Sequence, residues 1–392
     1  MEKSQQLDTT ADNRWKNLKV AIVHDFLDTY GGAERVLGLI CEIFPQAPIF
    51  TLLYDKEKMR GKFKNKEIKT SFLQGFPKFI KKRKKYLLPL LPTAPEVFDL
   101  RDFDLVISSS GAWSKGIVTR LNTVHIAYLH SPMRFAWDYG EKYFSDAGQK
   151  AGICKRMFLT YLRVWDFEAA QRPDILIANS EFTRKRVAKY YRRDSRVIYP
   201  GINLIKESQK EIQIKKEKGG YFLIVSRLSP YKKVLLAVEA FNKMGLPLVI
   251  VGEGAESEKI KKIAKKNIRV VGWQSEEKLK EYYRNARAFI FPAVDDFGLT
   301  AVEAMSFGVP VIALRAGGVL EIVKEGRTGE FFDAQTVEVL ADGVRRFLEK
   351  ERDYDRDFIR AQAQRFGEEN FKNNFLNLIK EEWKRNFYDN RT

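Results

Sequence analysis

Two consecutive doubly wound α/β domains are what this sequence of 392 residues predicts. Three observations carry that reading. From Lys19 onward, short apolar runs alternate with amphipathic stretches, and most of the runs are continuous, which suits parallel strands buried on both faces. The alternation breaks at residues 203–220, a polar, charged stretch closed by two glycines, and then restarts. The length is also roughly two to three times that of an ordinary single domain.

The elements follow in order. KVAIVHDF (19–26) reads as a strand, and GGAERVLGLICEIF (31–44) as a helix in which Val36, Leu37, Ile40 and Phe44 recur at helical spacing. PIFTLLYD (48–55), DLVISSSGA (104–112), TVHIAYLHS (123–131), DILIANSE (174–181) and RVIYPG (196–201) are further strands, and FTRKRVAKYYRR (182–193) is a connecting helix. The first domain is therefore set at 18–202. NLIKESQKEIQIKKEKGG (203–220) is a linker by composition.

Beyond it come strand YFLIVS, helix KVLLAVEAFNKM, strand PLVIVGEG, helix ESEKIKKIAKK, strand IRVVGW, helix SEEKLKEYYRNA, strand AFIFPA, helix TAVEAMSFG and strand PVIAL. The second domain is set at 221–365, its alternation ending near Phe347. Residues 366–392 hold a last long amphipathic helix, read over 366–387. No short fixed period repeats, which excludes a solenoid.

Composition narrows the function classes. Aromatic content of 13% and hydrophobic content of 44% exclude a disordered chain. Two cysteines, Cys41 and Cys154, build neither a disulfide scaffold nor a cysteine zinc site, and three histidines at these spacings suggest no metal centre. No apolar run is long enough to cross a bilayer, and the opening MEKSQQLDTTADNRWKNLK lacks the apolar core of a signal peptide, so the expected compartment is the cytosol. The formal charge of +18 calls for an anionic partner: nucleic acid, an anionic membrane or a phosphorylated substrate.

Parallel sheets of this kind place ligands at the carboxyl ends of their strands. VSRLSPYKK sets Arg227 and Lys232 directly after a strand, a guanidinium and an ammonium suited to a diphosphate; the plain alternative is a solvated basic turn. In FPAVDDFGLTAVEAMSFGVPVIA, Phe297 and Gly298 stand at a strand-to-helix junction between Asp295 and Glu303. The amides of Gly298, Leu299 and Thr300 would open a helix favourable to an anion, and Glu303 one turn on would accept hydrogen bonds from vicinal hydroxyls. The alternative is that Asp295 or Asp296 caps the helix and Glu303 faces water.

Gly31 and Gly32 open a helix in the first domain and can present amides to a phosphate, or simply turn the chain. Gly252 and Gly254 follow a strand, but the third glycine of a dinucleotide fingerprint is missing, with Ser257 in its place. His125 lies within a strand and reads as structural. His24 and His130 each end a strand, and HSPMRFAWD around His130 adds Arg134 and Trp137. Asp102-Phe103-Asp104 precedes a strand rather than following one, and reads as a turn with no metal.

Residues 60–90 carry eleven basic side chains and one acidic, Glu67. Lys78, Lys81, Lys82, Arg83, Lys84 and Lys85 stand beside Phe79, Ile80, Leu87, Leu88, Leu90 and Leu91, a mixture suited to an interfacial segment on an anionic leaflet. A solvated loop explains the lysines but not exposed leucines. No helix-turn-helix, zinc-finger or RNA-recognition signature accompanies the charge, so nucleic acid is not the expected partner.

GGAERV, HSPMRFAWD, NSEFT, VIYPG, SRLSPYK, VGEGAE, the Asp295-to-Glu303 block and GGVLEIVKEGRTG occur in that order. With them the chain resembles the family 4 retaining glycosyltransferases, and among them the mannosyltransferase-like group of surface-polysaccharide biosynthesis. The resemblance spans about Lys19 to Phe347 and implies the GT-B fold: two Rossmann-like domains facing across a cleft that holds the active site, with the last helix packing back on the first domain. It implies a nucleotide-sugar donor, no required cofactor and no metal.

By the same resemblance Arg227 and Lys232 grip the diphosphate, Asp295 meets the donor sugar, and Glu303 the ribose hydroxyls. The amides after Phe297 meet sugar and phosphate, Gly32 approaches the phosphate, and His130 contacts the transferred sugar. Base recognition would fall near Gly272 and Trp273. The family usually has Glu where this chain has Asp295. The function so implied is hexosyl transfer, mannose from GDP-mannose, to a lipid-linked or polysaccharide acceptor on the inner face of the cell membrane. A UDP-sugar donor, a non-hydrolysing sugar-nucleotide epimerase and a polyanion-binding protein are the competing readings.

Overall fold

A computed structural model describes residues 17–138, 152–204 and 220–389. The chain divides into two compact units: Met1–Tyr199 together with Phe371–Thr392, and Pro200–Asn370. Most of the stretch 203–220, expected as a linker, lies outside the described residues.

In the first unit the strands are β1 (Val20–Leu27), β2 (Ile49–Tyr54), β3 (Ile68–Thr70), β4 (Leu105–Ser110), β5 (Val124–Leu129), β6 (Ile175–Ala178) and β7 (Arg196–Val197). Its helices are α1 (Gly32–Ile43), α2 (Lys78–Lys82), α3 (Arg134–Trp137), α4 (Ile153–Ala169) and α5 (Glu181–Tyr191). All pairings are parallel, in the order β3-β2-β1-β4-β5-β6-β7. Apolar runs are continuous because both faces are covered. Val20 and Ile22 enter one core, beside Leu105 and Ile107, while Ala21 and Val23 enter the other, beside Val106, the alternation that a pleated strand imposes.

The second unit repeats the plan. Its strands are β8 (Tyr221–Val225), β9 (Leu248–Val251), β10 (Ile268–Gly272), β11 (Ala286–Phe291), β12 (Val311–Leu314) and β13 (Gly329–Phe332), all parallel, in the order β10-β9-β8-β11-β12-β13. The helices are α6 (Val234–Met244), α7 (Ser257–Ile263), α8 (Glu276–Arg284), α9 (Leu299–Ser306), α10 (Val337–Glu349) and α11 (Arg356–Ala363). Phe222 of β8 packs edge-on against Phe241 of α6 and Phe347 of α10, at 5.1 and 5.9 Å between ring centroids.

The expected pair of doubly wound parallel sheets is what the chain forms. In each, the order reverses once, between β1 and β4 and between β8 and β11. A crevice opens at the carboxyl ends of the strands where neighbouring connections leave in opposite directions. The last helix, α12 (Glu368–Asp389), carries the chain back: from Phe371 on it belongs to the first unit, where Phe371, Phe375, Leu378 and Ile379 join the core that holds Ile22 and Tyr128.

Candidate functional site

The residues singled out after β8 and β11 flank the reversal point of the second sheet. Arg227 follows β8 by two positions and is exposed, and among the described residues no hydrogen bond or ion pair engages its guanidinium. Lys232 ends a short 3-10 turn, Pro230–Lys232, and its ammonium is ion-paired to Asp295. Asp295 therefore holds the lysine, and does not cap the helix that follows: the N-cap is Gly298, with no side-chain cap. Gly298 has φ +114°, a conformation open to glycine and strained for other residues. Leu299 and Thr300, the first helical residues, have amides with no intrahelical acceptor. Glu303, one turn on, accepts a hydrogen bond from the Tyr283 hydroxyl at 2.8 Å and is half-buried.

Three further positions behave differently from what their sequence context suggested. Phe297 is buried, its ring edge-on to Phe366 at 5.3 Å, so its side chain is core and only its backbone borders the loop. Gly254 is a packing glycine: a Cβ there would stand 2.2 Å from the carbonyl oxygen of Leu228, and its amide donates to the Ser257 hydroxyl at 2.9 Å. Ser257, which stands where the fingerprint would have its third glycine, closes this turn, its hydroxyl also donating to the Gly254 carbonyl at 2.8 Å. Trp273 is exposed at the end of β10, and its amide donates to Glu253 at 3.3 Å. The Asp295 carbonyl accepts from the Gly318 amide at 2.9 Å, which ties the loop after β12 to the one after β11; the sequence reading gave Gly318 no role of its own.

In the first unit, Gly31 caps α1, but its amide is not bare. It donates to the Glu34 carboxylate at 2.7 Å, a turn-stabilising contact. Gly32 is the first residue of the helix. His130 follows β5, half-buried, with Nε2 2.8 Å from the Ser109 hydroxyl. Burial first, then the charge of His24, pushes its imidazole down to about 4, against the pull of Glu34 and Asp25.

The motif after His130 is an anchor. Trp137 donates to buried Asp166 at 2.7 Å, Asp138 pairs with Arg186, and Arg186 donates to Ser131 at 3.0 Å. The Asn179 side chain donates to the His130 carbonyl at 2.9 Å. Asp166 also accepts from Tyr191 and pairs with Lys115, a buried charge fully partnered and structural.

Sequence reasoning missed Asp25. Its buried carboxylate accepts four consecutive amides, Gly111 to Ser114, at 2.7–3.1 Å, and so shapes the loop after β4. The one available signal was a charged residue inside an apolar strand. His125 is fully buried, as its place within a strand suggested, with Nε2 2.8 Å from Ser108. Asp104 accepts the Lys19 amide at 2.8 Å on the amino-terminal side of β4, the turn expected of Asp102-Phe103-Asp104. Among the described residues no three His, Cys, Asp or Glu side chains are grouped to hold a metal ion.

The basic segment corrects an expectation. Leu87, Leu88 and Leu91 are buried in the core over one face of the first sheet, and Ile80 packs against it, so they are not exposed beside the lysines. Lys66 donates to the carbonyls of Cys41, Phe44 and Pro45 at and just past the end of α1, Lys81 donates to the Gln74 carbonyl at 2.8 Å, and Lys84 pairs with Asp28 at 2.8 Å. Lys78, Arg83 and Lys85 stay outside, and so do Phe79, which is 69% exposed, Tyr86 and Leu90, so one of the expected leucines does remain exposed beside the cations. No helix among the described residues is long and apolar enough to cross a membrane.

Two family models match the chain in tandem: Glycosyltransferase Family 4 over residues 30–206, and Glycosyl transferases group 1 over residues 205–365. An uncharacterized glycosyltransferase of Methanocaldococcus jannaschii is 26% identical over 279 residues, 68% of this chain and 72% of that protein. The GDP-mannose-dependent alpha-(1-6)-phosphatidylinositol monomannoside mannosyltransferase of Mycobacterium tuberculosis is 28% identical over 202 residues, 45% of this chain and 52% of its own length. Among solved structures, Anabaena HepE in complex with UDP-glucose superposes with a TM-score of 0.69 at 19% identity, covering 92% of this chain and 99% of that chain.

Proposed function

The chain belongs to the family 4 glycosyltransferases, its two family domains running in tandem from residue 30 to 365; from that premise we propose that it transfers mannose from GDP-mannose, with retention at the anomeric carbon, to a lipid-linked or polysaccharide acceptor. The observation that carries the donor assignment is the pairing of strand ends at the second sheet's reversal point. Arg227 and Lys232 follow β8, and Asp295, Gly298 and Glu303 follow β11, its neighbour. Arg227 and Lys232 take the diphosphate, the amides of Leu299 and Thr300 a donor oxygen, and Glu303 the ribose hydroxyls. Asp295 aims the Lys232 ammonium and faces the donor sugar. His130 of the first unit recognises a hydroxyl of the transferred sugar.

In the transfer, the bond from the anomeric carbon to the diphosphate oxygen breaks while the acceptor oxygen bonds to the same face. The departing oxygen takes the acceptor proton, and Arg227 and Lys232 stabilise the negative charge that develops on it. The mannosyl donor is supported by the mycobacterial relative, which is GDP-mannose-dependent; the UDP-glucose complex of HepE favours a UDP-sugar instead. We place the protein peripherally on an anionic inner leaflet through Lys78, Phe79, Arg83 and Lys85; the Lys82 side chain, expected there too, lies outside the described residues.

Incubation with a panel of GDP- and UDP-sugars, with donor hydrolysis read by mass spectrometry, tests the donor. GDP-mannose is the donor expected to be consumed, and consumption of UDP-sugars alone overturns it. Arg227→Ala and Lys232→Ala are each expected to lower turnover by about a hundredfold or more with the melting temperature retained. Near-normal turnover of both would remove the diphosphate assignment.

A further inference from the structure

Four side chains form one hydrogen-bonded line at the reversal point of the first sheet. Glu34 Oε1 lies 3.3 Å from His24 Nε2, His24 Nδ1 lies 3.1 Å from Ser109 Oγ, and Ser109 Oγ lies 2.8 Å from His130 Nε2. They come from α1, β1, β4 and the residue after β5, so the line crosses three adjacent strands. His24 and Ser109 are buried, and the two imidazoles meet edge-on with centroids 6.4 Å apart.

Counting donors and acceptors gives the line a direction. At Glu34 burial opposes ionisation, but the hydrogen bond and charge of His24, with backbone amides, outweigh it and hold the carboxyl below its ordinary value. An ionised carboxylate only accepts, so His24 Nε2 carries the proton shared with it. Where His24 is neutral, its other nitrogen is then an acceptor and the single proton of Ser109 goes to His24 Nδ1; a doubly protonated His24 would donate there instead and reverse the rest of the line. The Ser109 oxygen has only lone pairs left for His130, which must therefore donate from Nε2. His130 Nδ1 is left as a lone pair. The nearby Asp25 carboxylate does not disturb the count, because four backbone amides fill it, and the His130 backbone is fixed by Asn179.

We propose that Glu34, His24 and Ser109 are positioning residues that hold His130 as the Nε2–H tautomer, so that its Nδ1 accepts a hydrogen bond from a substrate hydroxyl. The relay stands on geometry within the first unit; the hydroxyl partner rests on the reading of His130 as the sugar contact. The logic parallels that of any carboxylate–imidazole–hydroxyl line, in which the carboxylate at one end chooses the tautomer at the other. Here the line ends on a second imidazole, which turns the choice into hydrogen-bond polarity at the substrate.

The chain has three histidines, so ring-nitrogen NMR of the full-length protein labelled with ¹⁵N-histidine is simple enough to read, with His24→Gln and His130→Gln supplying assignments. At neutral pH His130 is expected as the Nε2–H tautomer with Nδ1 unprotonated. Glu34→Gln can donate its amide to His24 and reverse the line, so His130 is expected to move toward Nδ1–H; Ser109→Ala is expected to leave a tautomer mixture. Either substitution should lower kcat/KM for the donor by about tenfold, the loss of one hydrogen bond. A wild-type His130 already protonated on Nδ1, or a tautomer unmoved in both variants, overturns the relay. That wild-type spectrum decides even if a variant fails to fold. A shifted tautomer with unchanged kcat/KM would instead overturn the sugar contact while the relay stood.

Discussion

At the residue scale, the three histidines occupy three electrostatic situations that composition alone could not separate. His24 sits between a carboxylate and a hydroxyl, His130 ends the line, and His125 is sealed inside the sheet with Nδ1 unpartnered among the described residues. Burial, then the charges of Arg193 and Arg172, pushes His125 down to about 3. Its folded form therefore refuses a proton that the unfolded chain accepts near pH 6.5. Between those values the unfolded state binds more protons, so stability rises with pH and is lost as pH falls from about 6.5 toward 3; His130 acts with the same sign down to about 4. Urea unfolding between pH 4.5 and 7.5 should show this slope. His125→Gln, which keeps a partner for Ser108, should flatten it by roughly one proton, about 1.4 kcal/mol per pH unit. An unchanged slope would mean that His125 does not titrate on unfolding. The sequence placed His130 at a strand end correctly, whereas His24, expected at one too, lies inside β1 because the strand runs on through Asp25 and Phe26 to Leu27; Ser109 lay in a run of three serines that nothing distinguished.

Among the elements, those that were legible have an apolar pattern of one kind throughout, and those that were not have a physical reason. β3 is three residues at the sheet edge, none of them buried, with no apolar run to mark it. β13 is interrupted by Glu330, whose charge is taken up inside by the Tyr354 hydroxyl at 2.6 Å. α4 buries Leu159, Leu162, Asp166 and Ala169 while Ile153, Met157, Tyr161 and Val164 stay exposed on its other side; apolar residues on both sides erase the helical stripe that periodicity needs. α12 is the opposite case, a long helix whose amphipathic pattern was plain, while the unit it joins was implied by resemblance rather than by pattern. Its Phe375 is fully buried, with its ring 5.6 Å from Phe371 and 6.5 Å from Tyr128. Phe375→Ala should cost roughly 3–5 kcal/mol and lower the urea midpoint of the first unit. If α12 were only a peripheral tail, the midpoint would stay in place.

Over the whole molecule, the excess charge is concentrated rather than spread: residues 60–90 carry a net +10 of the total +18. Fold then divides that segment in a way no count of lysines can. Lys66, Lys81 and Lys84 are committed to carbonyls and a carboxylate within their own unit, and Leu87, Leu88 and Leu91 cover the sheet. Lys78, Arg83 and Lys85 remain in solvent next to Phe79. A cation held near an anionic leaflet contributes about 1 kcal/mol, so replacing those three by glutamine should weaken binding to phosphatidylserine-containing vesicles by about 3 kcal/mol, on the order of a hundredfold. Wild-type binding should fall as salt shortens the screening length from about 10 Å at 0.1 M toward 3 Å at 1 M, and phosphatidylcholine vesicles should capture little protein. Phe79→Ala should weaken binding at every salt concentration, because its contribution is apolar burial rather than charge. Co-sedimentation measures all of these. Equal binding of the wild type and the triple variant would overturn the membrane assignment of this segment and return its charge to solvent.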